Sequence, residues 1–308
     1  MRKAFFDELE TLFAKDDRII FITGDLGYKL FDRMAKIDSN RVINFGVREA
    51  SMVGFAAGLS KAGFLPFAYS IAPFITLRCL EQIKIDLCYN KLRVVLVGVG
   101  GGMTYGTNGP THHGIDDISV LSCLPGLKIW TPADPIEVRA CIRAVPLLNG
   151  PAYLRLGRHG ETNIHDPSAG LPCIEDPFVV RTGSNGVIIV SGFILHEVLL
   201  ALEQLAKRAI YPSVIQVPTF RPFPDDFFIK LLGEGMSVMT VETSIAHAGL
   251  GHEIAQILAR MGTGNPFVML TLPHEFPQKC MDREESLKWA RLDAGSIAEN
   301  FEKLLNCK

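Results

Sequence analysis

An acid at the start of a helix is the first residue that could do chemistry. In RVINFGVREASMVGFAAGLSK (41–61) a short apolar strand, Val42–Phe45, leaves through Gly46 into a helix whose first turn carries Glu49. A carboxylate there either faces water and complements the helix dipole by roughly a few tenths of a kcal/mol, or is buried against a cofactor nitrogen. The second candidate is GVGGGMTYGTNGPTHHG (98–114), a glycine-rich loop too long for a simple connection. Its glycines let backbone approach a ligand closely, while Asn108, His112 and His113 supply polar groups. Asp25, in the turn Gly24-Asp25-Leu26-Gly27, and the group Arg155, Gly157, Arg158 and His159 stand where strands end, the edge at which α/β sheets gather ligands. Asp25 reads equally well as a turn residue or helix cap.

The elements that must carry these residues alternate. After an amphipathic opening helix, the spacing predicts strands at 18–23, 42–45, 65–69, 94–99, 127–131 and 152–156, with helices between them, including one from about Thr76 to Tyr89. That order implies a parallel α/β domain over residues 1–165. A stretch with three prolines, HDPSAGLPCIEDP, lies in a linker placed at 166–185, and a smaller α/β domain follows over 186–308. Its GLGHE turn at 249–253 is too short for a phosphate fingerprint and reads as tight strand-to-helix packing. In the Glu49 helix, Ala50, Gly54 and Gly58 recur at i, i+4 and i+8 with Ala57 beside them. Two mid-helix glycines weaken a helix by roughly 1 kcal/mol each against alanine, a loss that close packing of another helix would offset.

The chain has 308 residues, is 48% hydrophobic and carries a formal net charge of −2. Near-neutrality without a basic patch argues against nucleic acid as a partner. Charges interrupt the apolar positions of the N-terminus, which is therefore read as neither signal nor transit peptide, and VVLVGVGGG stops short of a membrane span. Seven scattered cysteines with no C-x-x-C pair fit reduced thiols filling core space in a soluble, cytoplasmic protein rather than a zinc site.

INFGVREASMVGFAAGLS followed by GTNGPTHHG resembles the thiamine-diphosphate enzymes of the transketolase family. Between these lie the spacing Phe74 to Arg78 and then Glu81-Gln82, and after them come TPADPIEV (131–138) and YLRLGR (153–158). The whole chain is covered, but only the C-terminal two thirds of a full-length family member. The resemblance, which extends to the C-terminal part of deoxyxylulose-5-phosphate synthase, implies a pyrimidine-binding domain followed by a transketolase-type C-terminal domain. It implies that Glu49 bonds the N1′ nitrogen of the cofactor's aminopyrimidine, favouring the imino tautomer that lets N4′ take the thiazolium proton. Val47, Met52, Val53 and the glycine ridge are expected to surround it. Phe74 would pack on the pyrimidine, and Asp25 would lie near the thiazolium. His112 would steady an oxyanion or shuttle a proton, with His113 the weaker candidate. Arg155 matches the family's substrate-phosphate arginine; Arg155, Arg158 and Arg78 also read as structural ion pairs.

Several positions depart from that pattern. Asn108 stands where the family usually has an aspartate that helps select substrate hydroxyls. Gly100 and Gly101 occupy the place of a phosphate-binding His or Arg, for which Lys29 could compensate. The G-D-G motif with a downstream Asn, which holds the diphosphate through Mg²⁺, is absent, so no metal ligand is assigned to this chain. The resemblance therefore implies half a site: a C-terminal subunit sharing thiamine diphosphate with a partner subunit that holds the Mg²⁺, two copies of each forming an α2β2 heterotetramer. The ridge 50/54/58 would be a contact between subunits.

The activity implied is that of a transferase of aldehyde or ketone groups, moving a two-carbon ketol unit between sugars or sugar phosphates. Alternatives are a deoxyxylulose-phosphate-synthase-like enzyme, a 2-oxoacid dehydrogenase β-type subunit, against which the G-P-T-H-H-G loop argues, and a non-catalytic partner, against which Glu49, Phe74 and His112 argue together.

Overall fold

The computed structural model describes residues 1–158 and 161–306; His159 and Cys307 lie outside the described residues. Two sheets carry the chain. The first has the order β10-β5-β6-β4-β3-β1-β2 and the second β12-β11-β8-β9-β7. In the first, β1 (Ile19–Thr23), β2 (Val42–Asn44), β3 (Leu65–Ile71), β4 (Val95–Val99), β5 (Lys128–Trp130) and β6 (Ala152–Leu156) all run parallel. Their central members are continuous apolar runs, because helices cover both faces; β1, β4 and β6 are buried at every position. Parallel strands place all their carboxyl ends at one edge, and that edge carries Thr23-Gly24, Asn44-Phe45, Ser70-Ile71, Val99-Gly100 and Leu156-Gly157.

The second sheet contains β7 (Phe178–Arg181), β8 (Val187–Ser191), β9 (Ser213–Gln216), β11 (Val238–Ile245) and β12 (Phe267–Leu272), parallel except for β7, which pairs antiparallel with β9. The stretch 166–185, expected to be a linker, thus supplies a strand. β10 (Thr219–Arg221), from the second half of the chain, adds antiparallel to β5 on the edge of the first sheet. The segment that leads into the linker is clamped: both oxygens of buried Asp134 accept backbone N–H bonds, Oδ1 from Ile136 and Glu137 as a helix cap and Oδ2 from Ile164 and His165.

The helix expected from Thr76 to Tyr89 is preceded by a turn of helix at Ala72–Ile75 and is itself broken into a 3₁₀ turn at Leu77–Cys79, a short α turn at Leu80–Gln82 and a π-helix at Ile83–Tyr89. The Thr76 hydroxyl bonds the Ala72 carbonyl at 2.7 Å and marks the first break. Asp32–Ile37 is the helix between β1 and β2, and one helix outside the sequence reading, Arg283–Ala290, lies near the end of the second domain. The ridge of helix Glu49–Lys61 is open within this chain. A Cβ at Gly58 would meet nothing within 4 Å, and one at Gly54 only Asp86 Oδ2 at 3.8 Å.

Among the described cysteines all are free. Cys79, Cys88 and Cys141 fill core space, where burial pushes the first two thiols up to about 12 and about 11, whereas Cys123, Cys173 and Cys280 are exposed and do not fit that expectation. No helix among the described residues is long and apolar enough to cross a membrane.

Candidate functional site

Glu49 opens its helix just beyond the end of β2 and is 1% exposed. Ser70, at the end of β3, donates its hydroxyl to Glu49 Oε1 at 3.0 Å, and Arg78 Nη1 donates to Oε2 at 2.7 Å. Gly24, where β1 ends, lets its backbone lie over this pair: a Cβ there would come to 3.2 Å from Ser70 Oγ and 3.4 Å from Glu49 Oε1. Three strand ends therefore enclose one acid. Met52 and Val53 are buried beneath it as expected, but Val47 is 64% exposed and is not part of the enclosure.

Phe74 sits in the short helix after β3, half-buried. The Arg78 guanidinium lies over its ring at 4.6 Å from the centroid, and the His112 ring meets it edge-on at 5.0 Å. His112 is half-buried, bonded through Nδ1 to the Thr111 hydroxyl at 2.9 Å, and desolvation holds its pKa below the ordinary imidazole value. His113 points into the loop: it is 4% exposed, its Nε2 donates to the Gly106 carbonyl at 3.4 Å, and Nδ1 has no partner among the described residues. The two histidines are thus distinct, and only His112 joins Phe74.

Arg155 does not face this edge. It is 3% exposed, with Nε donating to Asp117 at 2.9 Å, Nη1 to Thr243 Oγ1 at 2.9 Å, and Nη2 to the carbonyls of Gly114 and Thr243 at 2.7 and 2.9 Å. Every arm is used, so the fork expected to hold phosphate instead joins the two domains. Arg158, half-buried, lies over the Tyr105 ring at 4.5 Å, and that ring is 6.1 Å from His112. Arg158 is the arginine of this group that remains beside the loop.

Gly100 and Gly101 are sterically fixed. A Cβ at Gly101 would stand 2.6 Å from Arg155 Nε, and one at Gly100, whose φ is +87°, would stand 2.1 Å from the Tyr105 ring. Asn108 is exposed at the loop's outer turn. Asp25 and Lys29 lie on an exposed rim, both with positive φ. Asp25 accepts from Asn44 Nδ2 at 2.9 Å and from the Tyr28 hydroxyl, bonds that hold its carboxyl below the usual range. Neither touches Glu49 or Phe74 in these contacts.

Asp134, Glu137 and His165 offer ligand atoms within 4.8 Å of one another. These atoms are already engaged: Asp134 by backbone, Glu137 Oε2 by Ala133 N–H and Gln216, and Glu137 Oε1 by His165 Nε2 at 3.0 Å. The cluster is a clamp. A groove of about 1000 Å³ lies elsewhere, lined by Leu124, Leu127, Leu147 and Pro151, near the amino ends of β5 and β6.

Sequence reasoning missed Ser70 and Tyr105. Ser70 could have been found as a polar residue ending an apolar strand beside Glu49; Tyr105 lies between glycines with nothing to mark it. Together, a buried acceptor beside a half-open aromatic face suits a flat heterocycle bearing N–H groups, with an imidazole and a guanidinium further along the loop.

Comparison with known proteins identifies both domains. Residues 1–160 match the family model "Transketolase, pyrimidine binding domain" and residues 178–297 match "Transketolase, C-terminal domain". The 6-deoxy-6-sulfo-D-fructose transketolase subunit SqwH of Clostridium sp. (strain MSTE9) is 31% identical over 265 residues, covering 84% of this chain and 80% of its own. One of the subunits of the apulose-4-phosphate transketolase of Actinobacillus succinogenes is 31% identical, covering 84% and 83%. A 1-deoxy-D-xylulose-5-phosphate synthase of Synechococcus is 29% identical, and there the match spans 97% of this chain but 46% of the relative. A solved structure described as a split gene transketolase, inactive β4 tetramer, superimposes with a TM-score of 0.88 at 26% identity over 100% of this chain and 98% of that one. The two domain matches and these relatives place the chain in the transketolase family.

Proposed function

We propose that this chain is the C-terminal subunit of a two-component, thiamine-diphosphate-dependent transketolase, with a pyrimidine-binding domain at 1–165 and a C-terminal domain at 186–308. The observation that carries this is the enclosed Glu49 carboxylate beside Phe74 and His112. The residues fit the pyrimidine end of the cofactor: one buried acceptor, one aromatic face, and no side chain of Gly24 to obstruct them. When bound, thiamine diphosphate supplies the carbon chemistry of ketol transfer, and the protein supplies orientation and electrostatics. Glu49 holds a proton against the ring nitrogen, Phe74 fixes the ring plane, and neutral His112 accepts or returns a proton on the substrate side.

The partner subunit carries the Mg²⁺ and the diphosphate site, and two copies of each chain assemble through faces that include the open Ala50/Gly54/Gly58 ridge. That a similar chain alone is described as an inactive tetramer supports the need for a second component. The relatives are named for a sulfo-sugar and a sugar phosphate. An anionic sugar is the corresponding substrate class here, with Arg158 as its ligand in place of Arg155. Asn108 faces the outer loop, and Asp25 and Lys29 act only at the rim. The enzyme works in the cytoplasm.

The test is to purify the chain together with a partner that has G-D-G and a downstream Asn, and to assay ketol transfer from anionic ketoses. Glu49→Gln should lower turnover by about 10²–10⁴-fold, the range for loss of a positioned acid–base group. Retention of most activity would refute the assignment. The match to deoxyxylulose-phosphate synthase keeps a decarboxylating reaction as the second reading, and carbon dioxide release from pyruvate would select it. A chain with no effect on the partner's activity would be a non-catalytic subunit.

A further inference from the structure

The carboxyl ends of β11 and β12 bring two histidines together, away from the site described above. Ile245 and Leu272 are register partners in these adjacent parallel strands. His247 and His274 each stand two residues beyond that pair, and the equal offset sets them side by side. Their rings meet with centroids 4.9 Å apart and planes at 71°. Both side chains are exposed, and the hydrogen bonds that imidazoles make among the described residues belong to His112, His113 and His165. The backbone around His247 is fixed on either side: Ile245 donates its N–H to the Ile115 carbonyl at 2.9 Å, and the Ala248 carbonyl accepts the Ser122 hydroxyl at 3.3 Å.

We propose that His247 and His274 form a binding site for a divalent transition-metal cation of the zinc class. Paired neutral imidazoles are the donor set such ions take. With Zn–N bonds of about 2.0–2.1 Å, two imidazoles on one tetrahedral ion have ring centroids roughly 5 Å apart, the separation seen here. Among the described residues no third His, Cys or carboxylate donor joins the pair within 4.8 Å, so water completes the coordination and the ion exchanges with solvent. Mg²⁺ and Ca²⁺, which take oxygen ligands, do not suit these donors.

The site ties down a segment on which the glycine-rich loop rests. Residues 273–282 run from β12 to the capped helix Arg283–Ala290 and pack on that loop. A Cβ at Gly106 would overlap the Met281 carbonyl, and one at Gly109 would stand 3.3 Å from Cys280 Sγ. The Gly109 carbonyl in turn accepts the His112 N–H at 3.0 Å. A cation joining His274 to His247 therefore anchors one end of the strip that backs the His112 turn.

The experiment titrates the full chain, stripped of metal by a chelator, with Zn²⁺ by calorimetry, and with Mg²⁺ as the control. Half the protein ligands of a structural zinc site should give a dissociation constant on the order of 10 μM. His247→Gln and His274→Phe, the second of which keeps an aromatic ring but no donor, should each remove that one site from the isotherm, while the metal-free variants melt as the native chain does. A native isotherm in either variant, or no zinc site tighter than about 1 mM in the native chain, overturns the proposal. Backbone amides of 273–282 should exchange more slowly with Zn²⁺ in the native chain and not in His274→Phe; binding without that protection overturns the link to the glycine-rich loop. None of these readouts uses turnover, so the outcome is separate from that of the function proposed above.

Discussion

Arg155→Met and Arg158→Ala should separate folding from substrate binding. In the folded chain the Arg155 guanidinium bonds Asp117, the Thr243 hydroxyl and the carbonyls of Gly114 and Thr243, all within 2.9 Å. Methionine fills much of the volume but supplies no donor. Asp117, 0% exposed, is then left with the Tyr153 hydroxyl at 2.7 Å as its remaining side-chain partner. Removing one member of a buried ion pair typically costs about 3–5 kcal/mol. Against a total stability of about 5–15 kcal/mol, that is a large fraction. Urea unfolding of the purified chain should show this loss, with the KM of any surviving assembled enzyme little changed. Arg158, half-buried over Tyr105, should behave oppositely. Its removal should alter stability by about 1 kcal/mol or less, as for an exposed cation–π contact. It should raise KM for an anionic sugar by about 10- to 100-fold, the equivalent of one charge-assisted hydrogen bond. Native unfolding of Arg155→Met combined with a raised KM would refute this division.

Gly24→Ala places a Cβ 3.2 Å from Ser70 Oγ, displacing the hydroxyl from Glu49. Cofactor affinity of the assembled enzyme should fall by about tenfold or more, and unchanged affinity by calorimetry would show that Ser70 does not set the acid. Desolvation lowers the His112 pKa, so the ring stays neutral down to a pH below the ordinary value of about 6.5. The acid limb of kcat/KM should lie below that value and vanish in His112→Asn, and a limb centred above it would count against this role. The His165 pKa is raised, chiefly by its bond to Glu137 and against burial. A group raised on folding contributes stability fully present below its unfolded pKa and lost as pH rises through the folded one. Urea midpoints should therefore decline from mildly acid to alkaline pH, less steeply in His165→Gln, and equal slopes would exclude the pair as the cause.

The parts visible in sequence were those with local signals. Apolar runs such as IIFIT and VLVGV located the strands, and their parallel order put Glu49 and the glycine loop at one edge. What stayed hidden depends on distant partners. An arginine ending a strand reads the same whether it faces ligand or interior, and Arg155 was decided by Asp117, 38 residues away, and Thr243, 88 away. Arg78 finds Glu49 across 29 residues. β10 is a three-residue strand, too short to carry a period, and exists because β5 offers an unpaired edge. Helix Arg283–Ala290 is a different kind of omission. Its capping box, Asp282 with Glu285, is a local signal that stands in the sequence as D-R-E-E.

The glycines at 100 and 101 and the burial of Arg155 are one packing arrangement. Gly100 and Gly101 both donate their N–H to the Leu156 carbonyl, at 2.9 and 3.1 Å, so the loop begins flat on β6. Arg155 then occupies the space a side chain at 101 would need, and Tyr105 the space above 100. A polar side chain at either position would displace the residue that joins the domains or the ring on which Arg158 lies. Reading those glycines as a lost phosphate contact therefore counts only the loop; under the proposed function the cation is supplied from the strand end, through Arg158. Gly101→Ala puts this to the test. Its Cβ would stand 2.6 Å from Arg155 Nε and 2.9 Å from Cγ, and a buried side chain held by four hydrogen bonds cannot yield cheaply. Overpacking of this kind typically costs about 1–3 kcal/mol, and the loss should largely disappear in the Arg155→Met background, where the crowded atoms are gone. Additive losses in the double variant would mean that the two positions are independent and that the glycines answer to something else.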